Sequence, residues 1–302
     1  MDSLTGITVF SAVAETGGFT AAARTLGLSK SAVSKQVSDL EDRLGARLFN
    51  RTTRRVVLTE VGRAYHVRCR RILDDAREAE LAVGALHTEP IGTLRVNAPM
   101  SFGVRHIAPA LGDYMDRYPA LGIDIDFNDR LVDVIDEGYD IAIRIADLPD
   151  SSLVARRLAP CRRVIIASPA YWEAQGRPAH PDDLARHQCL TYDNLPNPRE
   201  WPFRSPDGEF SIKVKGRLHA NNGDLLLHAT IAGQGVYLCP TFICGAALAD
   251  GRVEAVLEEY EPPEISVYAV WPHNRHLSAK VRSFVDFLID RFGPAPYWDA
   301  DM

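Results

Sequence analysis

The chain has 302 residues, of which 46% are hydrophobic and 25% charged, so it can bury a sizeable core in two or three modules. No apolar run approaches the roughly 20 residues of a membrane span, and the start lacks the basic region and apolar core of a secretory signal; a cytoplasmic protein is expected. The formal net charge of −6 hides an asymmetry: residues 19–71 hold twelve Lys/Arg against four acids, a segment of +8 on a remainder of −14, the footprint of a nucleic-acid module joined to something else. In chain order, Leu4, Ile7, Phe10, Val13 and Ala14 predict a first helix with one buried face. Gly17 and Gly18 end it, and Thr20 is placed to cap a short second helix, Ala21 to Leu26, whose alanines permit close crossing. Gly27-Leu28 then turns into a third helix, residues 29–44, with Ser29 as its cap.

In that third helix Val33, Val37, Leu40 and Leu44 recur as one apolar stripe, while Ser31, Ser34, Lys35 and Ser38 lie on the other face and Lys30 in the first turn. A short, polar, partly cationic face suits a major groove about 12 Å wide. Asp39, Glu41 and Asp42 would be repelled by phosphates, so only the N-terminal half is expected in the groove. An ordinary amphipathic surface helix would show the same stripe; the neighbouring elements decide. Leu48 to Thr59 has β-branched ends and an Arg-rich middle, which reads as a two-stranded wing. Its Arg51, Arg54 and Arg55 are placed for phosphates or a minor groove, and its Thr52 and Thr53 for the DNA backbone. Thr59 caps a long helix with Glu60 in its first turn. Val61, Tyr65, Ile72, Ala76, Ala79, Val83 and Leu86 form a narrow stripe interrupted by Arg68. Running to about His87, this helix would span roughly 42 Å and is read as a seam for a second copy.

After the turn-rich stretch Glu89 to Gly92, strands and helices alternate, which predicts an α/β domain. Strands are expected at 93–98, 123–127, 140–145, 164–168, 217–220 and 265–271. Helices are expected at 104–118, 131–137 and 279–292, the last capped by Ser278. The acidic, proline-containing stretch after Phe292 is expected to be a mobile tail.

Residues 19–62, FTAAARTLGLSKSAVSKQVSDLEDRLGARLFNRTTRRVVLTEVG, closely resemble the winged helix-turn-helix of LysR-type transcriptional regulators. The match includes AAARTLGLSKSAVSKQVSDLE, LGARLFNRTTR and the helix start LTEVG. The resemblance implies an N-terminal all-α winged helix-turn-helix over 1–59, a linker and dimerisation helix over 60–89, and a regulatory domain over 90–293. That domain would be α/β and two-lobed, like a periplasmic binding protein. Its first lobe would comprise 91–161 and 267–293, its second 162–266, and the tail 294–302. The implied partners are double-stranded promoter DNA, a small-molecule effector between the lobes, and further copies of the chain as homodimer or homotetramer; no cofactor and no membrane are implied. On the DNA side the expected contacts are Thr20 and the wing residues Arg51, Thr52, Arg54 and Arg55 with the backbone. Lys30, Ser31, Ser34 and Lys35 would meet base edges, with Ser29 at the start of the same face. On the effector side they are Met100, Ser101 and Phe102 at a helix start, Asp147 in a loop, the segment around Phe203, and Asn222 in the polar run NNGD.

Other chemistries find less support. The five cysteines (Cys69, Cys161, Cys189, Cys239, Cys244) are odd in number without a CxxC pair, which disfavours a disulfide framework or a zinc site. Cys239 and Cys244, four residues apart, leave a thiol-sensing regulator as an alternative, and a ligand-binding protein without DNA readout is another. Arg144, in an apolar strand, reads as a structural ion pair before an effector contact. An enzyme is not expected: there is no GxSxG, P-loop or GxGxxG after a strand, and no HExxH.

Overall fold

The computed structural model describes residues 3–51, 56–84, 89–130, 132–146, 153–260, 262–272 and 278–300. The chain divides into two compact units, residues 1–93 with 135–138, and residues 94–134 with 139–302.

The first unit is built from α1 (Ser3–Thr16), α2 (Phe19–Leu26), α3 (Lys30–Leu44), the strands β1 (Phe49–Arg51) and β2 (Val56–Leu58), and α4 (Glu60–Gly84). Its core follows from the predicted stripes: Ile7, Phe10, Val13, Val33, Val37, Leu40 and Leu48 are all buried. The Phe10 ring packs, tilted, at 5.2 Å from Phe49 and 5.3 Å from Tyr65, tying α1 to the wing and to α4. Gly27 and Gly45 end α2 and α3 in the left-handed conformation, at φ 65° and 64°, which glycine adopts without a Cβ penalty. Thr20 is not a cap: α2 begins one residue before it, Gly18 occupies the N-cap position without a side-chain bond, and Thr20 stands exposed in the first turn. Leu44 leaves the stripe and is 41% exposed. In α4 the stripe divides. Of its members Tyr65 turns inward on the core, beside Cys69 and Leu73 from outside the predicted stripe, whereas Val61 and Ile72 face solvent. Ala79, Val83 and Leu86 lie outside the described side chains.

The second unit carries two mixed five-stranded sheets. The first has the order β4 (Leu121–Phe127), β3 (Gly92–Ala98), β5 (Ile141–Ala146), β14 (Ile265–Pro272), β6 (Leu153–Cys161). β3 and β5 are parallel, and β14 runs antiparallel to both its neighbours. The second has the order β11 (His219–Ala220), β8 (Cys189–Tyr192), β12 (Val236–Pro240), β7 (Arg163–Ala167), β13 (Glu254–Val256), with β9 (Glu200–Ser205) and β10 (Gly208–Lys213) as a separate hairpin. The chain passes from one sheet to the other between Cys161 and Arg163 and returns between Val256 and Ile265, giving two lobes. The helices of this unit are α5, α6 (Pro169–Gln175), α7 (Gly223–Ile231), α8 (Thr241–Ala249) and α9 (Ala279–Phe292). α5 is a continuous run of Met100–Phe102, a π turn Gly103–Ile107 and Ala108–Arg117. Phe284, Leu288 and Phe292 of α9 are buried, each contributing about 1.5–3 kcal/mol.

Three expectations change. Residues 134–138 form a turn rather than the expected helix, since a short stretch broken by Gly138 cannot complete two turns. Ser278 stands at the N-cap position of α9, but its hydroxyl makes no cap bond. The tail is docked: Tyr297–Asp299 forms a 3-10 turn and Trp298 is buried. At the start of α9 the ammonium of Lys280 lies 3.1 Å from the Asp140 carboxylate, with both side chains buried.

Candidate DNA-binding face and effector cleft

Ser29 Oγ accepts from Ala32 N at 3.1 Å and lies 2.9 Å from Ser31 Oγ, so the start of α3 is held as expected from its residues. Lys30, Ser31 and Lys35 are exposed and Ser34 is half-buried, which leaves the polar face of α3 open along its first two turns. β1 and β2 pair antiparallel with Phe49 opposite Leu58 and Arg51 opposite Val56. Thr52, Arg54, Arg55 and the Arg51 side chain, all assigned to DNA from the sequence, lie outside the described residues.

Glu41 departs from its expected role. Instead of facing the phosphates it is 2% exposed and accepts from Leu48 N at 2.8 Å and Phe49 N at 3.1 Å, while Arg47 reaches its second oxygen at 3.4 Å. The carboxylate therefore fixes the entry into the wing from the far end of α3. Its signal in the sequence was position: Glu41 lies four residues after Val37 and eight after Val33, on the buried side.

In the second unit, α5 of the first lobe and α7 of the second meet at the cleft. Ser101 is 5% exposed, its hydroxyl has no hydrogen-bond partner among the described residues, and a Cβ on Gly223 would stand 3.6 Å from it. That same Cβ would fall 2.5 Å from Ile243 Cδ1, so any larger residue at the start of α7 would have to displace the Ile243 side chain. Met100 N donates to Asp129 Oδ1 at 2.9 Å. Burial raises the Asp129 carboxyl above the ordinary carboxylate range; the Met100 amide and the Tyr192 hydroxyl lower it, and Asp224 raises it further. Arg105 and Asp224 form a 2.6 Å ion pair between the lobes. Sequence reasoning missed this pair, although Arg105 lies one turn beyond Ser101 and Asp224 closes the NNGD run.

Asn222 caps α7, its side chain accepting from Leu225 N at 2.9 Å. The Phe102 ring points away from the cleft into the core, where it packs against Phe242, Phe292 and Trp298. Phe203 is removed from the cleft altogether. It is fully buried in the second lobe with Trp172, Leu184 and Trp201, because the β9–β10 hairpin folds its apolar face inward. Asp147 lies outside the described residues. Arg144 donates to Asn97 Oδ1 and to the Val132 carbonyl, both at 3.0 Å.

His106, one residue beyond Arg105, sits behind the cleft between the Phe242 carbonyl at 2.9 Å from Nε2 and the Tyr297 hydroxyl at 2.7 Å from Nδ1. A neutral ring satisfies both, with Nε2–H donating and Nδ1 accepting. Burial pushes its pKa down from 6.5 to about 4. The stabilisation is present above pH 6.5 and is lost as pH falls through about 4, up to about 3 kcal/mol for a shift of this size. In urea titrations across this range, His106→Gln should flatten the fall by as much as one proton; an unchanged slope would place the titration elsewhere.

The five cysteines are all buried and unpaired. Burial raises Cys161 and Cys189 to about 12 and Cys239 well above its ordinary value, the reverse of a reactive thiolate. Among the described residues no group of three His, Cys, Asp or Glu is placed to hold a metal, and no helix is long and apolar enough to cross a membrane.

Residues 4–63 match the family of bacterial regulatory helix-turn-helix proteins, lysR family, and residues 87–293 match the LysR substrate binding domain. The chain is 41% identical over 297 residues to an HTH-type transcriptional regulator of Xanthomonas campestris pv. campestris, covering 97% of this chain and 85% of that protein. It is 37% identical to the HTH-type transcriptional regulator DmlR of Escherichia coli, over 96% of this chain and 94% of that one. Among solved structures it is similar to CrgA, a LysR-type transcriptional regulator from Neisseria meningitidis, with 33% identity, a TM-score of 0.61, and coverage of 96% and 98%.

Proposed function

Because the chain belongs to the LysR family of transcriptional regulators, with a DNA-binding and an effector-binding domain, we propose that α3 reads an operator through Lys30, Ser31, Ser34 and Lys35. Thr20 and the wing residues Arg51, Thr52, Arg54 and Arg55 contact the phosphates and supply the salt-dependent share of affinity. Residues 1–59 form the DNA-binding domain, 60–89 the linker through which two copies pair, and 90–293 the regulatory domain. A homodimer, or a tetramer of two such dimers, holds several recognition helices at fixed spacing and raises affinity without new contacts per helix. The chain acts in the cytoplasm, by binding rather than by catalysis.

The effector site is the cleft where Ser101, Met100 and Asp129 face Gly223 and Asp224, with Asn222 at its edge. The observation that carries this reading is the buried, unpartnered hydroxyl of Ser101 opposite a glycine of the other lobe. A buried polar group without a partner costs stability unless something satisfies it. A small molecule that bonds Ser101 and alters the Arg105–Asp224 pair would shift the placement of the lobes, and with it the spacing of the DNA-binding domains. The burial of every thiol weighs against an oxidant as the signal.

The test is footprinting of the purified protein on fragmented DNA from its own source, with and without metabolite extract. A discrete site whose occupancy responds to extract is expected. Uniform, salt-fragile binding would favour a ligand-binding protein without sequence readout. Lys35→Ala should weaken binding to that site by about 1–3 kcal/mol and leave non-specific DNA nearly unaffected. Equal weakening on every sequence would make Lys35 a phosphate contact.

A further inference from the structure

Beyond the helix α9 the chain turns at Gly293 and lays Tyr297 and Trp298 across both lobes, outside residues 87–293 that match the family's domain. The Trp298 ring packs at 4.6 Å from His106, 5.8 Å from Phe102 and 5.5 Å from Phe292, all of the first lobe. Its carbonyl rests on α8 of the second lobe at Gly245, where any Cβ would stand only 2.6 Å away. The same histidine then joins all three parts, receiving the Tyr297 hydroxyl on one nitrogen and meeting the Phe242 carbonyl of α8 with the other. The edge-on Phe102–Phe242 contact at 5.2 Å closes the junction.

From this arrangement we infer that residues 293–299 are a latch that holds the two lobes together behind the effector cleft, and that its undocking frees them to move. This goes beyond the proposed effector site and needs no ligand.

The helix start of the first lobe presents two adjacent faces. Ser101 and Arg105 look into the cleft, while Phe102 and His106 receive the latch. Arg105 and His106 both lie within the π turn Gly103–Ile107, a widening frequently found at functional sites. A rotation of the first lobe that separates Arg105 from Asp224 therefore also moves the ring and imidazole on which Trp298 is seated. Docking is also incomplete in its polar accounting: Trp298 Nε1 and Asp299 Oδ1 are buried without partners among the described residues. Large aromatic burial favours the docked latch, and those two orphaned groups oppose it, as expected of a contact that must be able to release.

Amide hydrogen exchange on the full-length protein separates a latch from a mere piece of core. Trp298→Ala should speed exchange at least tenfold in both receiving segments, residues 100–117 and 241–249, and leave α6 of the second lobe unchanged. Gly245→Ala should reproduce that pattern with the tail sequence intact, because its Cβ displaces the Trp298 backbone. Tyr297→Phe, which keeps the ring but loses the bond to His106, should give a smaller effect in the same segments. Faster exchange confined to residues 293–300 would overturn the inference, and so would a uniform increase that includes α6. A Gly245→Ala chain that exchanges like the parent would overturn it as well.

Discussion

Lys280→Ala should destabilise the second unit by about 3–5 kcal/mol, the range for breaking a buried ion pair from one side. Lys280 and Asp140 have side chains only 5% and 7% exposed, and their charged atoms lie 3.1 Å apart. Asp140 Oδ2 also accepts from Arg95 N at 3.0 Å, so the carboxylate binds α9 to the strand β3, which leads into α5. Removing the ammonium leaves a carboxylate in a core that water does not reach. All four tryptophans, Trp172, Trp201, Trp271 and Trp298, belong to this unit, so urea unfolding followed by tryptophan fluorescence reports it alone. Lys280→Met combined with Asp140→Asn should recover most of the loss, since it removes both charges and keeps an acceptor for Arg95 N. A cost below about 1 kcal/mol for Lys280→Ala would mean that the pair behaves as a solvated surface bridge.

Glu41→Ala should cost the first unit about 2–4 kcal/mol, because two buried backbone N–H groups lose a charged acceptor at once. Affinity should fall at least tenfold on specific and non-specific DNA alike, since Leu48 and Phe49 set the angle at which the wing leaves the helical core. Glu41→Gln retains one carbonyl oxygen for the same two donors and should lose less than half as much. This unit contains no tryptophan, so the change is read as a helical circular-dichroism transition, with gel-shift titrations for binding. If Glu41→Ala melts and binds like the parent, the wing is positioned by packing of Phe49 alone.

Much of the fold was legible because it rests on local rules. The period of Val33, Val37 and Leu40 and the cap at Ser29 placed α3 over residues 30–44, and Thr59 Oγ1 does receive Gly62 N at 2.9 Å at the start of α4. The sequence and its resemblance to a family also supplied the α/β class and the two lobes. The place of Ser101 was legible as well, since it follows the strand β3 and lies at the start of α5.

What failed was decided by distance along the chain. Glu41 reads as a surface acid until Leu48 and Phe49 fold back over it. Phe203 reads as part of a segment lining the cleft until its hairpin closes on Trp172 and Trp201. Arg105 and Asp224 are 119 residues apart, and nothing local to either announces the partner. The tail after Phe292, acidic and rich in proline, has the composition of a mobile end, yet its one tryptophan finds a site made by Phe102, His106 and Gly245. The sequence by itself determined which segments coil and which faces they bury, because propensity, capping and periodicity act within a few residues. Only the tertiary structure decided which polar groups are paired across the cleft and where the chain's end is held, because those energies exist only once distant segments exclude water from one another.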